Sequence, residues 1–222
     1  MLDALYRHRF LDEDLPRKRL IWQVLCREFL QRHVGRDAVV LDLACGYGEF
    51  INAIEARVRD AADLNPDSPR YLDPGVIFHA TSADRLDDIP DESIDVVFAS
   101  NFLEHLADQN AVADVLQRLA EKIQPGGRIA ILGPNFKYCA REYFDCADHT
   151  VILSHVAVAE HLHAAGFEVT SVHPRFLPFS FRGLFPASAR LTRIYLHTPV
   201  LWRLLGKQFL VIARKPGWAA EA

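Results

Sequence analysis

VVLDLACGYGEF, residues 39–50, decides how the chain is read. Val39 to Leu43 is apolar apart from one acid, the composition of a central strand buried on both faces of a parallel sheet. The strand opens onto Gly46 and Gly48, whose missing side chains let backbone amides approach a ligand. In open α/β sheets ligands bind beyond the carboxyl ends of the strands, where strand order reverses. Two glycines alone also make an ordinary strand-to-helix turn, so the rest of the chain has to say which it is.

Outward from this stretch, strands and helices alternate. Leu20, Ile21, Val24, Leu25, Phe29 and Leu30 recur at helical spacing, predicting an entry helix over 17–34 that Gly35 ends. A helix is expected over about 48–57 after the glycines, then strands at 58–63, 76–79 and 94–100. Asp108 caps a helix with Val112, Val115, Leu116, Leu119 and Ile123 on one face, stopped by Pro125-Gly-Gly127. Strands at 128–132, 167–172 and 208–214 follow, with a helix capped by Ser154 and carrying Val156, Ala159, Leu162 and Ala165 between the first two. Such alternation implies a three-layer α/β sandwich on a mostly parallel sheet.

The 222 residues suit one domain, half of them apolar and 24% charged, as in ordinary globular proteins. A net charge of −4 gives no general attraction to nucleic acid. The early acid in Met1-Leu-Asp is unlike a secretory signal, and no apolar run is long enough to span a bilayer, so a cytoplasmic location is expected. Cys26, Cys45, Cys139 and Cys146 are too scattered for a disulfide framework. The spacing of Cys139 and Cys146 beside His149 is unusual for zinc, so the thiols read as structural, and no metal site is expected.

A dinucleotide fold wants glycine or alanine at the third position of its loop, where this chain has the branched Ile51. A nicotinamide dehydrogenase is thereby disfavoured. No glycine loop carries a phosphate-binding lysine either. Asp63 falls at the end of the second strand, about twenty residues on, where a carboxylate can accept from both hydroxyls of a ribose. Loop and acid together read as a nucleoside site.

These residues resemble the class I S-adenosylmethionine-dependent methyltransferases. The likeness covers 37–173 and returns at 208–214. The first motif is V40-L41-D42-L43-A44-C45-G46-Y47-G48, with Ala44 where relatives carry glycine. The second is Ala62-Asp63-Leu64-Asn65-Pro66, the fourth runs from Asp95 through Asn101 to His105, and Ile123-Gln-Pro-Gly-Gly127 precedes the fifth strand. The resemblance implies a Rossmann-like, seven-stranded, mostly parallel sheet with an antiparallel last strand. It implies S-adenosylmethionine held by Asp42, Ala44, Gly46 and Gly48 at its aminocarboxypropyl end and by Asp63 and Leu64 at the ribose. Ser82, Ala83 and Asp84 would meet the adenine, although relatives place an acid where Ser82 stands, and Asn101 would wall the sulfur.

A hydroxyl acceptor must lose a proton, and a histidine is a suitable base. His105 and His149 both follow strands that end at the expected site. For His105 the alternative is a helix-start residue bonded to backbone, whereas His149 lies in a long connection, where functional residues tend to sit, with Asp145 or Asp148 placed to orient it. Residues 174–207 interleave Phe176, Phe179, Phe181, Leu184, Phe185, Tyr195 and Trp202 with Arg175, Arg182, Arg190, Arg193 and Arg203. Flanked by a helical segment at 1–36 and the core at 37–173 and 208–215, this insertion suits an acceptor cap, a homodimer contact, or a surface for a membrane or lipid-linked substrate. The expected activity is O-methylation of a sugar, glycan precursor or other small metabolite. The alternative is a cofactor-binding subunit or regulator without transfer activity.

Overall fold

The computed structural model describes residues 15–179 and 188–217. Helix α1, Leu15–Glu28, and a short 3-10 turn at Leu30–His33 lead into strand β1, Val39–Leu43. Strands β2 (Val58–Ala62), β3 (Val76–His79), β4 (Ile94–Ser100), β5 (Ile123–Pro134), β6 (Glu168–Leu177) and β7 (Gln208–Arg214) complete one seven-stranded sheet. Its order is β3-β2-β1-β4-β5-β7-β6. β1 pairs in parallel with β2 and β4, while β7 runs antiparallel to both β5 and β6. Strand order therefore reverses between β1 and β4, which puts the switch point at the glycine loop.

Helices α2 (Gln109–Lys122), α3 (Phe136–Cys139), α4 (His155–Ala164), α5 (Ala189–Leu196) and α6 (Pro199–Leu205) flank the sheet. Two apolar layers hold it. One joins Leu41, Leu43, Val97 and Ile131 to α2 and α4; the other joins Val40, Phe98 and Leu210 to α1 and α5. The expected caps form: Asp108 accepts from the Ala111 amide and Ser154 from the Ala157 amide.

Four local expectations need correction. Residues 48–57 make a chain of turns, not a regular helix, with Asn52 donating to Gly48 O and Ile54 to Phe50 O. Gly48, the first residue of the span, is left-handed, and Ala53 and Ile54 share the Phe50 carbonyl in place of successive i→i−4 bonds. On α4 the buried residues are Val158 and Leu162, whereas Val156 faces solvent. Pro125-Gly-Gly127 lies within β5, whose register shifts between Ile94 and Val96 of the neighbouring strand. Finally, β6 continues through Leu177, past the expected strand end at 172.

The connection from β6 to β7 leaves at the carboxyl end of β5, since Gln208 stands opposite Pro134. Its helices pack back on α1. Glu28 on α1 meets Arg193 at 3.4 Å and His197 at 3.1 Å. Tyr195 donates to Phe176 O, and the Trp202 indole donates to Tyr195 O. Leu191, Ile194, Val200 and Leu204 stay exposed. Phe181, Arg182, Leu184 and Phe185 lie outside the described residues.

Candidate active site

β1 ends by turning left-handed three times in five residues: Ala44 has φ 55°, Gly46 φ 55° and Gly48 φ 70°. Glycine occupies this region freely, whereas a residue with a Cβ pays roughly 1–2 kcal/mol. The family's glycine at the place of Ala44 thus has a conformational reason. At Gly48 a Cβ would stand 2.5 Å from Leu72 Cδ2 and 3.1 Å from Asn52 Nδ2, so any side chain there must displace both. At Gly46 a Cβ would meet nothing within 4 Å, so its backbone faces open space.

Two acids support this loop. Asp63, 9% exposed at the end of β2, accepts from the Gly46 amide and from the Asn65 amide, each at 2.7 Å. Asp42 is only 3% exposed, and its Oδ2 has no hydrogen-bond partner among the described residues. Burial, with Glu49 and Asp63 nearby, holds its carboxyl well above the usual carboxylate range, although the Ile51 backbone offsets part of this. An orphaned buried acceptor is costly, and it fits the cationic amine of an amino-acid ligand.

Leu64 beside Asp63 is 73% exposed, an apolar side chain presented at the carboxyl edge. After β3, Ser82 bonds the carboxylate of Asp84, which holds that acid below its usual range. Ser82 O accepts from the Arg85 and Leu86 amides, so Ser82, Ala83 and Asp84 form one compact turn, with Asp84 exposed and the other two half-buried. The two adenine-loop alternatives therefore act as one hydrogen-bonded unit.

Asn101, just beyond β4, takes φ 50°, a conformation asparagine tolerates, and its amide donates to Leu132 O. It is exposed, and its side-chain amide reaches Ser100 Oγ. Leu103–His105 then makes a 3-10 turn that carries His105 to His149 on the connection after β5. The rings of His105 and His149 lie edge to face, centroids 4.9 Å apart. His105 Nδ1 faces Asp148, 3.3 Å from Oδ2, and His149 packs against the ring of buried Tyr143 at 4.8 Å. Tyr143 fixes the long connection by donating to Val151 O and accepting from the Leu153 amide.

Glu104 is the residue that sequence reasoning passed over. It is 2% exposed, its Oε1 has no hydrogen-bond partner among the described residues, and burial pushes its carboxyl up to about 8. Its backbone carbonyl accepts from the Thr150 and Val151 amides, which binds the loop after β4 to the segment carrying His149. The available signal was an acid adjoining a histidine just past a strand terminus. Cys139 and Cys146 do not join this group; burial pushes the Cys139 thiol up to about 12, as suits a packing residue.

Residues 11–172 match a family described as a methyltransferase domain. Methyltransferase tpcM of Aspergillus fumigatus is 28% identical over 110 residues, covering 46% of this chain and 33% of that protein. A methyltransferase of Claviceps purpurea is 29% identical over 119 residues, 50% of this chain and 36% of that protein. The chain spans about a third of the length of these curated relatives. A crystal structure of a SAM-dependent methyltransferase from Archaeoglobus fulgidus superposes with TM-score 0.67 at 24% identity, covering 93% of this chain and 99% of that one. With its glycine loop at the switch point of this seven-stranded sheet, the chain belongs to the methyltransferase domain family and has the fold of the S-adenosylmethionine-dependent enzymes.

Proposed function

We propose that the chain binds S-adenosylmethionine and transfers its methyl group to a hydroxyl of a sugar, glycan precursor or other small metabolite. The observation that carries the cofactor is Asp42, whose buried Oδ2 lacks a partner among the described residues, beside a loop that is open above Gly46. Asp42 receives the amine, Gly46 and Gly48 give backbone access, and Asp63 takes the ribose while shaping the loop. Leu64 covers one face of the nucleoside, the Ser82–Asp84 turn meets the adenine, and Asn101 walls the sulfur. When bound, S-adenosylmethionine supplies an electrophilic methyl on a positively charged sulfur.

Methyl transfer is an in-line displacement, so the protein's main task is alignment and exclusion of water, worth roughly 7–11 kcal/mol in favourable systems. The Glu104–His105–His149 cluster supports a hydroxyl acceptor, because such an acceptor must lose a proton and this cluster stands beyond β4 on the edge where ligands bind. The described part of the 174–207 connection leaves β6 at Leu177 and enters β7 at Gln208, beside Pro134, which supports a cap over the acceptor on that edge.

Calorimetric titration with S-adenosylmethionine and with NAD tests the cofactor; binding of the first alone is expected, and binding of NAD in its place refutes the reading. Release of S-adenosylhomocysteine with polyhydroxylated acceptors tests transfer, and binding without turnover across such acceptors would favour a regulatory subunit.

A further inference from the structure

The loops after β4 and β5 assemble three metal-ligating side chains that cofactor binding does not use. One ligand atom from each of Glu104, His105 and His149 lies within 4.8 Å of the others. Glu104 Oε1, buried without a hydrogen-bond partner among the described residues, is 4.0 Å from His105 Nε2. A carboxylate oxygen desolvated beside two imidazoles needs a proton or a cation to complete it.

The surroundings resemble those of a metal ligand set. A ligating histidine commonly donates its other ring N–H to a carboxylate, which fixes its tautomer and orientation. His105 does this geometrically, with Nε2 on the Glu104 side and Nδ1 against Asp148, 3.1 Å from its carbonyl and 3.3 Å from Oδ2. The backbone is tied as well: Glu104 O accepts from Thr150 N at 2.9 Å and Val151 N at 3.1 Å, so the two loops cannot separate without breaking both bonds.

We propose that Glu104, His105 and His149 bind one divalent first-row transition ion. Two imidazoles and one carboxylate suit zinc, manganese or iron, whereas magnesium and calcium prefer sites made wholly of oxygen. With metal–nitrogen bonds of about 2.1 Å, neighbouring ligands stand roughly 3.4 Å apart, so side-chain rotations that together bring the atoms about 1.4 Å closer complete the site. Three protein ligands leave a position open for a substrate oxygen. The role in transfer rests on the methyltransferase reading. The ion lowers the pKa of the acceptor hydroxyl, whose proton passes to water. As its oxygen bonds the methyl carbon, the carbon–sulfur bond breaks and its electron pair stays on sulfur.

The test uses the full chain, stripped with a chelator and titrated without S-adenosylmethionine, with Zn²⁺ by calorimetry and with Co²⁺ by visible absorption. One ion per chain, a d–d spectrum of a low-symmetry nitrogen and oxygen site, and affinity in the micromolar range or tighter are expected. Glu104→Gln and His149→Ala should each weaken binding at least about tenfold, Asp148→Asn about tenfold through loss of the histidine's partner. His163→Gln, on the exposed face of α4, should leave it unchanged. No binding to the wild-type chain at millimolar ion, or undiminished binding in both Glu104→Gln and His149→Ala, overturns the site. If Glu104→Gln does not fold by circular dichroism, the wild-type Co²⁺ spectrum and Asp148→Asn decide. Metal binding in a chain that ignores S-adenosylmethionine would sink the transferase reading and leave the site standing; the reverse result would do the opposite.

Discussion

The carboxylate of Asp63 accepts the backbone amide of Gly46 at 2.7 Å, locking the end of β2 to the loop that follows β1. Its other oxygen holds the Asn65 amide. The acid expected to meet the ribose is therefore also the scaffold of the glycine loop. Asp63→Ala should lower S-adenosylmethionine affinity at least tenfold by calorimetry. It should also destabilise the fold by roughly 1 kcal/mol, since two half-buried amides lose their acceptor. Asp63→Asn keeps one acceptor oxygen and should fall between. Unchanged affinity in Asp63→Ala would remove Asp63 from the site.

Asp42 makes a contrasting case, because its charge is a burden to the empty fold. Its folded pKa is raised, so the native state favours the protonated acid, and stability falls as pH climbs from the unfolded value toward the folded one. Asp42→Asn keeps the shape and removes a group whose ionisation is opposed by burial and by Glu49 and Asp63. It should raise the melting temperature at pH 7 while weakening S-adenosylmethionine binding. A variant that is less stable and binds as well as wild type would contradict both halves.

Sheet, switch point and glycine loop were legible because each rests on local chemistry: the apolar run at 39–43, the two glycines, and caps at Asp108 and Ser154 within a few residues of what they bond. The Glu104–His105–His149 cluster was not, because residues 104 and 149 meet only through the fold of a long connection pinned by Tyr143. The expected helix at 48–57 shows another limit. Only turns form there, with Gly48 left-handed at the first position and Ala53 and Ile54 sharing the Phe50 carbonyl.

Ala44 offers a direct probe of the one departure in the first motif. At φ 55° its Cβ costs roughly 1–2 kcal/mol, while glycine in its place frees the unfolded chain by about 0.4–1 kcal/mol. Ala44→Gly should therefore stabilise by up to about 1 kcal/mol, a rise of roughly 2–4 °C in a chain of this length. Cofactor affinity should be kept or improved. A lower melting temperature would mean that the loop relaxes out of the left-handed region.

His33 predicts the acid limit of the fold. It sits among Phe29, Arg32, Arg128 and His173, with Nε2 buried and unbonded. Burial first, then the positive charge of Arg32, His173 and Arg128, lowers its pKa to about 4. Because the folded value lies below the unfolded 6.5, the unfolded chain binds the proton first. Stability from this group is present above pH 6.5 and is lost as pH falls toward 4. With part of the ring near solvent, the loss should be roughly 1–2 kcal/mol, less than the full shift would give. His173 is lowered by the same burial and by Arg32, and it stacks edge-on against Phe29 and Trp202, so its protonation adds to the effect. Urea melts at pH 7 and 4.5 should show a smaller difference in His33→Gln than in wild type. An equal difference would place the acid sensitivity elsewhere in the chain.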